Sequence, residues 1–333
     1  MPPSTPPELR WGIAGTGTIS WSVAPDLVAS GAEITAVYSR RIANAKRLAE
    51  VHAIPHAEDD FGAFIERADI DVIYLATPFA LHHKMAASAL RAGKHVLVEK
   101  PMAMTRQQVV ELFDIAKDND RFLMEAMWTK FNPAFIGLTK AINDGAIGEV
   151  RSIRAGFGFP FPDDGGSKWD PRRSGGALLD QGIYPITLAY SLLGVPESVL
   201  SEGVVRDDGL DLSHHTTLEF SGNRFAHCAS SIIEFVNPSA TVNGTAGWIH
   251  IPAPFWALSS FSVHAGDAHT MFVDPLVHHF PTNGNGYTPM LTAVGTAIRR
   301  GLRQHPTHDH EATIGVFSVL DRISSALKAV GSV

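Results

Sequence analysis

Arg10-Trp11-Gly12-Ile13-Ala14, followed by Gly15-Thr16-Gly17-Thr18-Ile19-Ser20, is the stretch that decides the fold. Its first five residues are a short, mostly apolar run that reads as a buried strand. The next six read as a glycine turn entering a helix. Gly15 then permits the tight turn, Gly17 lets the backbone approach a pyrophosphate, and the helix N-terminus stabilises the phosphate charge. A lone G-x-G is weak; strand, turn and helix in this order make it a dinucleotide fingerprint. Thr18 and Ile19 open the helix and join the glycines as candidate cofactor contacts. Ser20 takes the place of the third glycine or alanine, and is small enough for helix–strand packing.

Working outward, short β-type runs alternate with amphipathic segments. Strands are expected at residues 33–38, 71–76, 95–98 and 121–124, and helices at 43–52 and 81–92. Gly93, just past the second helix, suits a helix C-terminus. Such alternation predicts a doubly wound parallel sheet covered on both faces, an α/β Rossmann domain. Beyond residues 145–150 the pattern changes to longer alternating runs at 150–157, 197–206, 212–220, 224–233 and 248–251, split by turns such as Ser221-Gly222-Asn223. Helices are expected at 289–300 and 312–330. This half reads as an α+β domain with an open, mostly antiparallel sheet. The expected layout is a disordered tail at 1–9, a Rossmann domain at 10–128, and a substrate-binding and dimerisation domain at 129–333, its last helix free to pack back on the first domain.

Bulk composition narrows the function classes. The 333 residues exceed one compact core, and 45% hydrophobic with 18% charged residues is an ordinary folded composition. A net charge of −7 argues against a nucleic-acid surface. No apolar run approaches the roughly 20 residues that span a bilayer, and the Pro-rich start lacks the features of a signal peptide, so a cytoplasmic protein with no membrane partner is expected. The single cysteine, Cys228, lies in an apolar-polar run and reads as a buried strand residue rather than a nucleophile.

The end of the second strand bears on the cofactor. An NAD site usually places Asp or Glu there for the ribose 2′-hydroxyl. Here stands Ser39-Arg40-Arg41, whose guanidinium groups can pair with a 2′-phosphate and stack on adenine. NADP is therefore the expected cofactor, with NAD the second choice.

Four separated motifs complete the pattern: Gly15-x-Gly17, Thr77-Pro78-x-x-x-His82, Glu99-Lys100-Pro101, and Gly175-Gly176-Ala177-Leu178-Leu179-Asp180-x-Gly182-x-Tyr184. In this order the chain resembles the Gfo/Idh/MocA oxidoreductase family from Trp11 to its C-terminus. Glu125-Ala126-Met127-Trp128 and the tyrosine at 184 make it similar to the dimeric dihydrodiol dehydrogenase branch, which also holds NADP-dependent aldose (D-xylose) 1-dehydrogenases. The resemblance implies a cis peptide before Pro101. It also implies cofactor contacts from Thr77, Pro78, His82, Glu99 and Lys100, with His82 lining the nicotinamide side. Many relatives carry His in place of Tyr184, which points away from an inositol-type polyol.

Residue chemistry agrees. Oxidising an alcohol sends a hydride to nicotinamide and a proton to a base within reach of the hydroxyl. Lys100 follows a parallel strand, at the carboxyl edge where α/β crevices open. Its ammonium would hold the reacting hydroxyl and ease proton loss from a neighbouring phenol, Tyr184. Asp180, one helical turn earlier, would orient Lys100 or the substrate. Trp128, Phe157, Phe159 and Trp169 are candidates for an apolar wall, and Arg172 for a substrate hydroxyl. The histidines at 278, 279, 305, 308 and 310 invite a metal reading, but they lie in irregular sequence or ahead of the last helix; no metal is expected. The expected activity is NADP-dependent hydride transfer with a sugar, a trans-dihydrodiol or a related hydroxyl or carbonyl compound. The alternatives are a dicarbonyl or keto-sugar reductase and a non-catalytic NADP-binding regulator. A homodimer is expected.

Overall fold

The computed structural model of the chain describes residues 9–173 and 175–330. They form two units: residues 9–103 with Gln107–Phe131 and Thr282–His310, and Met104–Arg106 with the described residues of 132–281 and 311–330. The expected tail, apart from Leu9, lies outside the described residues.

Elements β1 (Arg10–Ala14), α1 (Thr18–Ala29), β2 (Glu33–Tyr38), α2 (Ile42–Val51), β3 (His56–Glu58), α3 (Phe61–Glu66), β4 (Val72–Leu75), α4 (Phe79–Arg91), β5 (His95–Val98), α5 (Arg106–Asp118) and β6 (Leu123–Glu125) alternate, with β3 and α3 absent from the sequence-based expectation. Their six strands form one parallel sheet in the order β3-β2-β1-β4-β5-β6. The order reverses between β1 and β4, the switch point where ligands of open α/β sheets bind. Trp11, Ile13, Ile73, Tyr74, Val96 and Leu97 are buried in its centre, as strands covered on both faces require. The last strand starts two residues later than expected, because the Phe122 amide donates to His95 Nδ1 (2.9 Å) and the Leu123 amide to the Arg303 carbonyl (3.1 Å).

The second unit contains α6 (Pro133–Asn143), β7 (Val150–Gly158), a π-helical turn (Leu178–Gly182), α7 (Ile183–Leu193), β8 (Ser198–Val205), β9 (Asp211–Phe220), β10 (Arg224–Ser231), β11 (Ala240–Gly244), β12 (Gly247–Ile251), β13 (Ser260–Ala265), α8 (Ala268–Phe272) and β14 (Leu276–His279). The eight strands run β14-β13-β12-β11-β7-β10-β9-β8, antiparallel except for β7 with β10. The sequence reading contained neither β11 nor the strands after β12. Helix α7 buries almost all its residues, and the Cys228 thiol of β10 lies against its Pro185 carbonyl. Burial pushes that thiol up to about 12, so Cys228 is an inert core residue.

Two helices end the chain, α9 (Thr288–Arg299) and α10 (His310–Val330). Residues 282–310, expected in the second domain, belong to the first unit. Asp26 of α1 is the reason. Its buried carboxylate accepts from the amides of Asn285 (3.0 Å), Tyr287 (2.8 Å) and Thr288 (3.2 Å), satisfying a returning loop and the start of α9. The remainder of α10 belongs to the second unit.

Candidate active site

The dinucleotide fingerprint forms a cradle. Gly15 has φ +119°, and a Cβ there would lie 2.2 Å from the Ala76 carbonyl oxygen, so only glycine fits. Gly17 is the N-cap of α1 and gives no side-chain cap; a Cβ on it would meet nothing within 4 Å. The helix therefore presents its first turn, with Thr18 exposed and Ile19 half-buried, toward open space suited to an anion. Beside it Thr16 Oγ1 donates to Ser39 Oγ (3.1 Å), and Arg40 and Arg41 are exposed at the end of β2. Ser20 is buried in the helix–sheet contact. A pyrophosphate and a 2′-phosphate fit these residues.

Lys100 follows β5, half-buried, with its ammonium 5.8 Å from the centroid of the Phe79 ring. The Lys100–Pro101 peptide is cis. Two neighbours expected to face the cofactor turn inward instead. Glu99 is 6% exposed; its Oε1 accepts from the Tyr74 hydroxyl (2.5 Å) and its Oε2 from the Lys100 amide (3.1 Å). Burial pushes the Glu99 carboxyl up to about 7. His82 is 0% exposed, with Nδ1 2.8 Å from the Pro101 carbonyl and Nε2 2.7 Å from that of Thr77. Burial lowers its pKa, while the two carbonyls and Glu125 pull the other way. With both ring nitrogens engaged by the backbone, His82 braces the strand ends, which differs from its expected place lining the nicotinamide side. The signal was in the sequence: His82, Met85, Ala86 and Ala89 form the buried stripe of α4. His83 leaves that stripe to pair with Glu111 at 3.0 Å. Thr77 and Pro78 are half-buried where β4 gives way to α4.

In the second unit the glycine-rich motif forms the π-helical turn and the start of α7, the kind of local irregularity that often marks functional sites. Asp211 of β9 accepts from the Leu178 amide (2.6 Å), and Ser230 of β10 donates to the Ala177 carbonyl (3.0 Å). A Cβ on Gly182 would come within 2.6 Å of His214 Nε2 and 3.0 Å of Ser230 Oγ, so glycine allows the turn to lie against the sheet. Tyr184, on the first turn of α7, lies 6.0 Å from Phe157 and 5.9 Å from Trp256 by ring centroids. Phe157 and Trp256 are stacked at 3.6 Å and 5°. Trp256 is not among the residues that the sequence analysis singles out. Asp180 pairs with Lys168, another residue not singled out there. Within its unit Asp180 is an ion-pair partner of Lys168, beside its expected role of orienting Lys100 or the substrate.

The remaining candidates differ in standing. Phe159 packs edge-on to Phe157. Trp128 is 7% exposed and rests on Tyr287 and Gly286, so packing accounts for most of its ring. Trp169 donates from Nε1 to the Pro162 carbonyl (2.8 Å). The Arg172 side chain is 88% exposed and donates to Asp170 (3.1 Å), a local pairing readable in Asp170-x-Arg172. Four of the five histidines that invited a metal reading pair elsewhere. His308 meets Glu125, His310 stacks on Phe113, His305 packs on Phe131 and His278 on Phe261. Among the described residues no three His, Cys, Asp or Glu side chains gather as metal ligands, and no helix is long and apolar enough to cross a membrane.

Comparison with known proteins agrees with this architecture. Residues 9–127 match the model of the oxidoreductase family with an NAD-binding Rossmann fold, and residues 135–250 match the GFO/IDH/MocA C-terminal domain. The trans-1,2-dihydrobenzene-1,2-diol dehydrogenase of Danio rerio is 33% identical over 94% of this chain and 95% of its own. That of Xenopus laevis is 34% identical over 89% and 91%. Among solved structures, a 3-ketoreductase from Actinomadura kijaniata in complex with NADP and TDP-benzene superposes with TM-score 0.86 at 27% identity, covering 96% of this chain and 98% of that one. An aldose-aldose oxidoreductase from Caulobacter crescentus shares the fold, with TM-score 0.87 at 24% identity over 97% and 98%. By family model and by whole-length similarity, this chain belongs to the Gfo/Idh/MocA oxidoreductase family.

Proposed function

We propose that this oxidoreductase uses NADP and exchanges a hydride with a carbinol carbon of a sugar, a trans-dihydrodiol or a related hydroxyl or carbonyl compound. The observation that carries the reading is Lys100, held at the carboxyl edge of a parallel strand where the Lys100 amide, the Pro101 carbonyl and the Met102 amide each meet a buried side chain. Gly15, Gly17, Thr18 and Ile19 would receive the pyrophosphate, and Ser39, Arg40 and Arg41 the 2′-phosphate. NADP, when bound, supplies the hydride acceptor. Lys100 holds the substrate oxygen by a charged hydrogen bond and Tyr184 takes its proton; run in reverse, Tyr184 returns it. Phe157 and Trp256, stacked beside Tyr184, suit a flat or cyclic substrate. Dihydrodiol dehydrogenases among the relatives and a 3-ketoreductase solved with NADP support both the substrate class and either direction. A panel of aldoses, trans-dihydrodiols and dicarbonyls, assayed with NADP, NAD and NADPH, tests it. Turnover with at least one class, faster with NADP than with NAD, is expected. Tight NADP binding without turnover would favour a regulator.

The same reading includes a homodimer. Arg154, His215, Glu219 and His227 lie exposed on one face of the second sheet, an open face that could receive a second copy of the chain. Sedimentation at micromolar concentration should give twice the chain mass of 35.9 kDa; a monomer would refute the dimer.

A further inference from the structure

Three backbone groups of residues 100–102 each meet a different buried ionisable side chain. The Lys100 amide donates to Glu99 Oε2 at 3.1 Å, the Pro101 carbonyl faces His82 Nδ1 at 2.8 Å, and the Met102 amide donates to Glu125 Oε1 at 2.9 Å. Glu125 is 0% exposed, and its second oxygen lies 3.1 Å from Nε2 of His308, itself 1% exposed. The four side chains come from the end of β5, from α4, from the end of β6 and from the loop before α10. Glu125 and His308 are 183 residues apart, so only the folded chain brings them together.

Burying a carboxylate and an imidazole is a poor way to gain stability, since the desolvation cost rivals the attraction. What it supplies here is direction. A carboxylate holding the Met102 amide on one side, with Glu99 and His82 holding the two groups before it, leaves the Lys100 backbone one arrangement. The angle at which the lysine side chain departs is then fixed. An apolar residue at 125 would leave the buried Met102 amide without its acceptor, and the segment would repack to satisfy it. We propose that Glu125, oriented by His308, is a positioning residue for Lys100. The proposal rests on the reading of Lys100 as the group that holds the substrate oxygen. It adds to that reading a role for the Glu125-Ala126-Met127-Trp128 motif that no step of the reaction itself uses.

The test uses the full chain with Glu125→Gln, Glu125→Ala and His308→Gln. Lys100 is probed by acetic anhydride labelling read by peptide mass spectrometry, with exposed Lys46 as the internal standard. Removing the acceptor should raise the Lys100 labelling rate in Glu125→Ala by about 5-fold or more, the scale of an orphaned buried donor. kcat should fall by about 10- to 100-fold, as expected of a misplaced catalytic group, with the KM for NADP much less affected. Glu125→Gln keeps an oxygen for the Met102 amide and should restore most of both readouts; His308→Gln should fall between. Native labelling and native kcat in Glu125→Ala would overturn the proposal. If Glu125→Ala does not fold, native Lys100 labelling in His308→Gln would overturn it. Labelling needs no turnover, so if Lys100→Met keeps native kcat the catalytic reading of Lys100 fails while the positioning result still stands or falls by itself.

Discussion

The two units of this chain hold their key polar groups by different means. In the first, Lys100 stands on a backbone gripped by buried ionisable side chains: Glu99, His82 and Glu125. In the second, Tyr184 is kept by rings and close packing, with Phe157 and Trp256 beside it and Gly182 pressed on His214 and Ser230. The first arrangement depends on charge and hydrogen bonding, which tolerate small changes of volume. The second adds close packing to the hydrogen bonds of Asp211 and Ser230, and close packing is sensitive to small changes of volume. Substitutions should therefore damage the units through different physics.

The largest effects fall on the two groups themselves. Lys100→Met and Tyr184→Phe should each lower kcat by about 100-fold or more, with NADP affinity nearly native. The double variant should lose far less than the product of the two, because groups acting on one oxygen are non-additive. Strict additivity in the four-variant cycle would break the pairing. Next comes Arg40→Ala, expected to weaken NADP by about 1.5–3 kcal/mol and to leave NAD unaffected. Equal losses for both cofactors, by fluorescence titration, would remove Arg40 from the 2′-phosphate.

Gly182→Ala sharpens the comparison from the other side. Its methyl group meets two fully buried side chains, so a cost of about 1–3 kcal/mol is expected. Chemical denaturation should show that loss, with kcat reduced and NADP affinity kept. Native stability would mean that the turn shifts freely. A further effect is pH-dependent. Burial pushes His214 down to about 3 from an ordinary 6.5. Below 6.5 the unfolded chain takes a proton that the folded chain refuses, so stability present above 6.5 is lost as pH falls toward 3. Between pH 7 and 5 the wild type should lose about 2 kcal/mol relative to His214→Gln. A pH-independent difference would show that His214 titrates normally.

Much of this was legible in the sequence, and the rest was hidden for physical reasons. The fingerprint after β1 and the apolar run at 95–98 were local signals, and the folded strands follow them. Lys100 and Tyr184 stand in contiguous motifs, which the family resemblance singles out. Direction was harder. A histidine at the start of a helix reads as exposed unless the stripe of α4 is counted, and Glu99 sits where a strand end gives no hint of which way a carboxylate turns. Long-range pairings carried no signal: Glu125 with His308, Asp26 with the amides of 285–288, and Trp256 on Phe157 join positions far apart in the chain. The strands after β12 escaped because they are short, and Pro252 and Pro254 interrupt the run before them.

The most direct measurement of the central claim is isotopic. Native protein is given NADP and the best substrate of the panel, deuterated at the carbon to be oxidised. The account predicts deuterium at C4 of the nicotinamide in the NADPH formed, with the transfer largely abolished in Lys100→Met. NADPH formed without the label, or no NADPH from any member of the panel despite NADP binding, would contradict it.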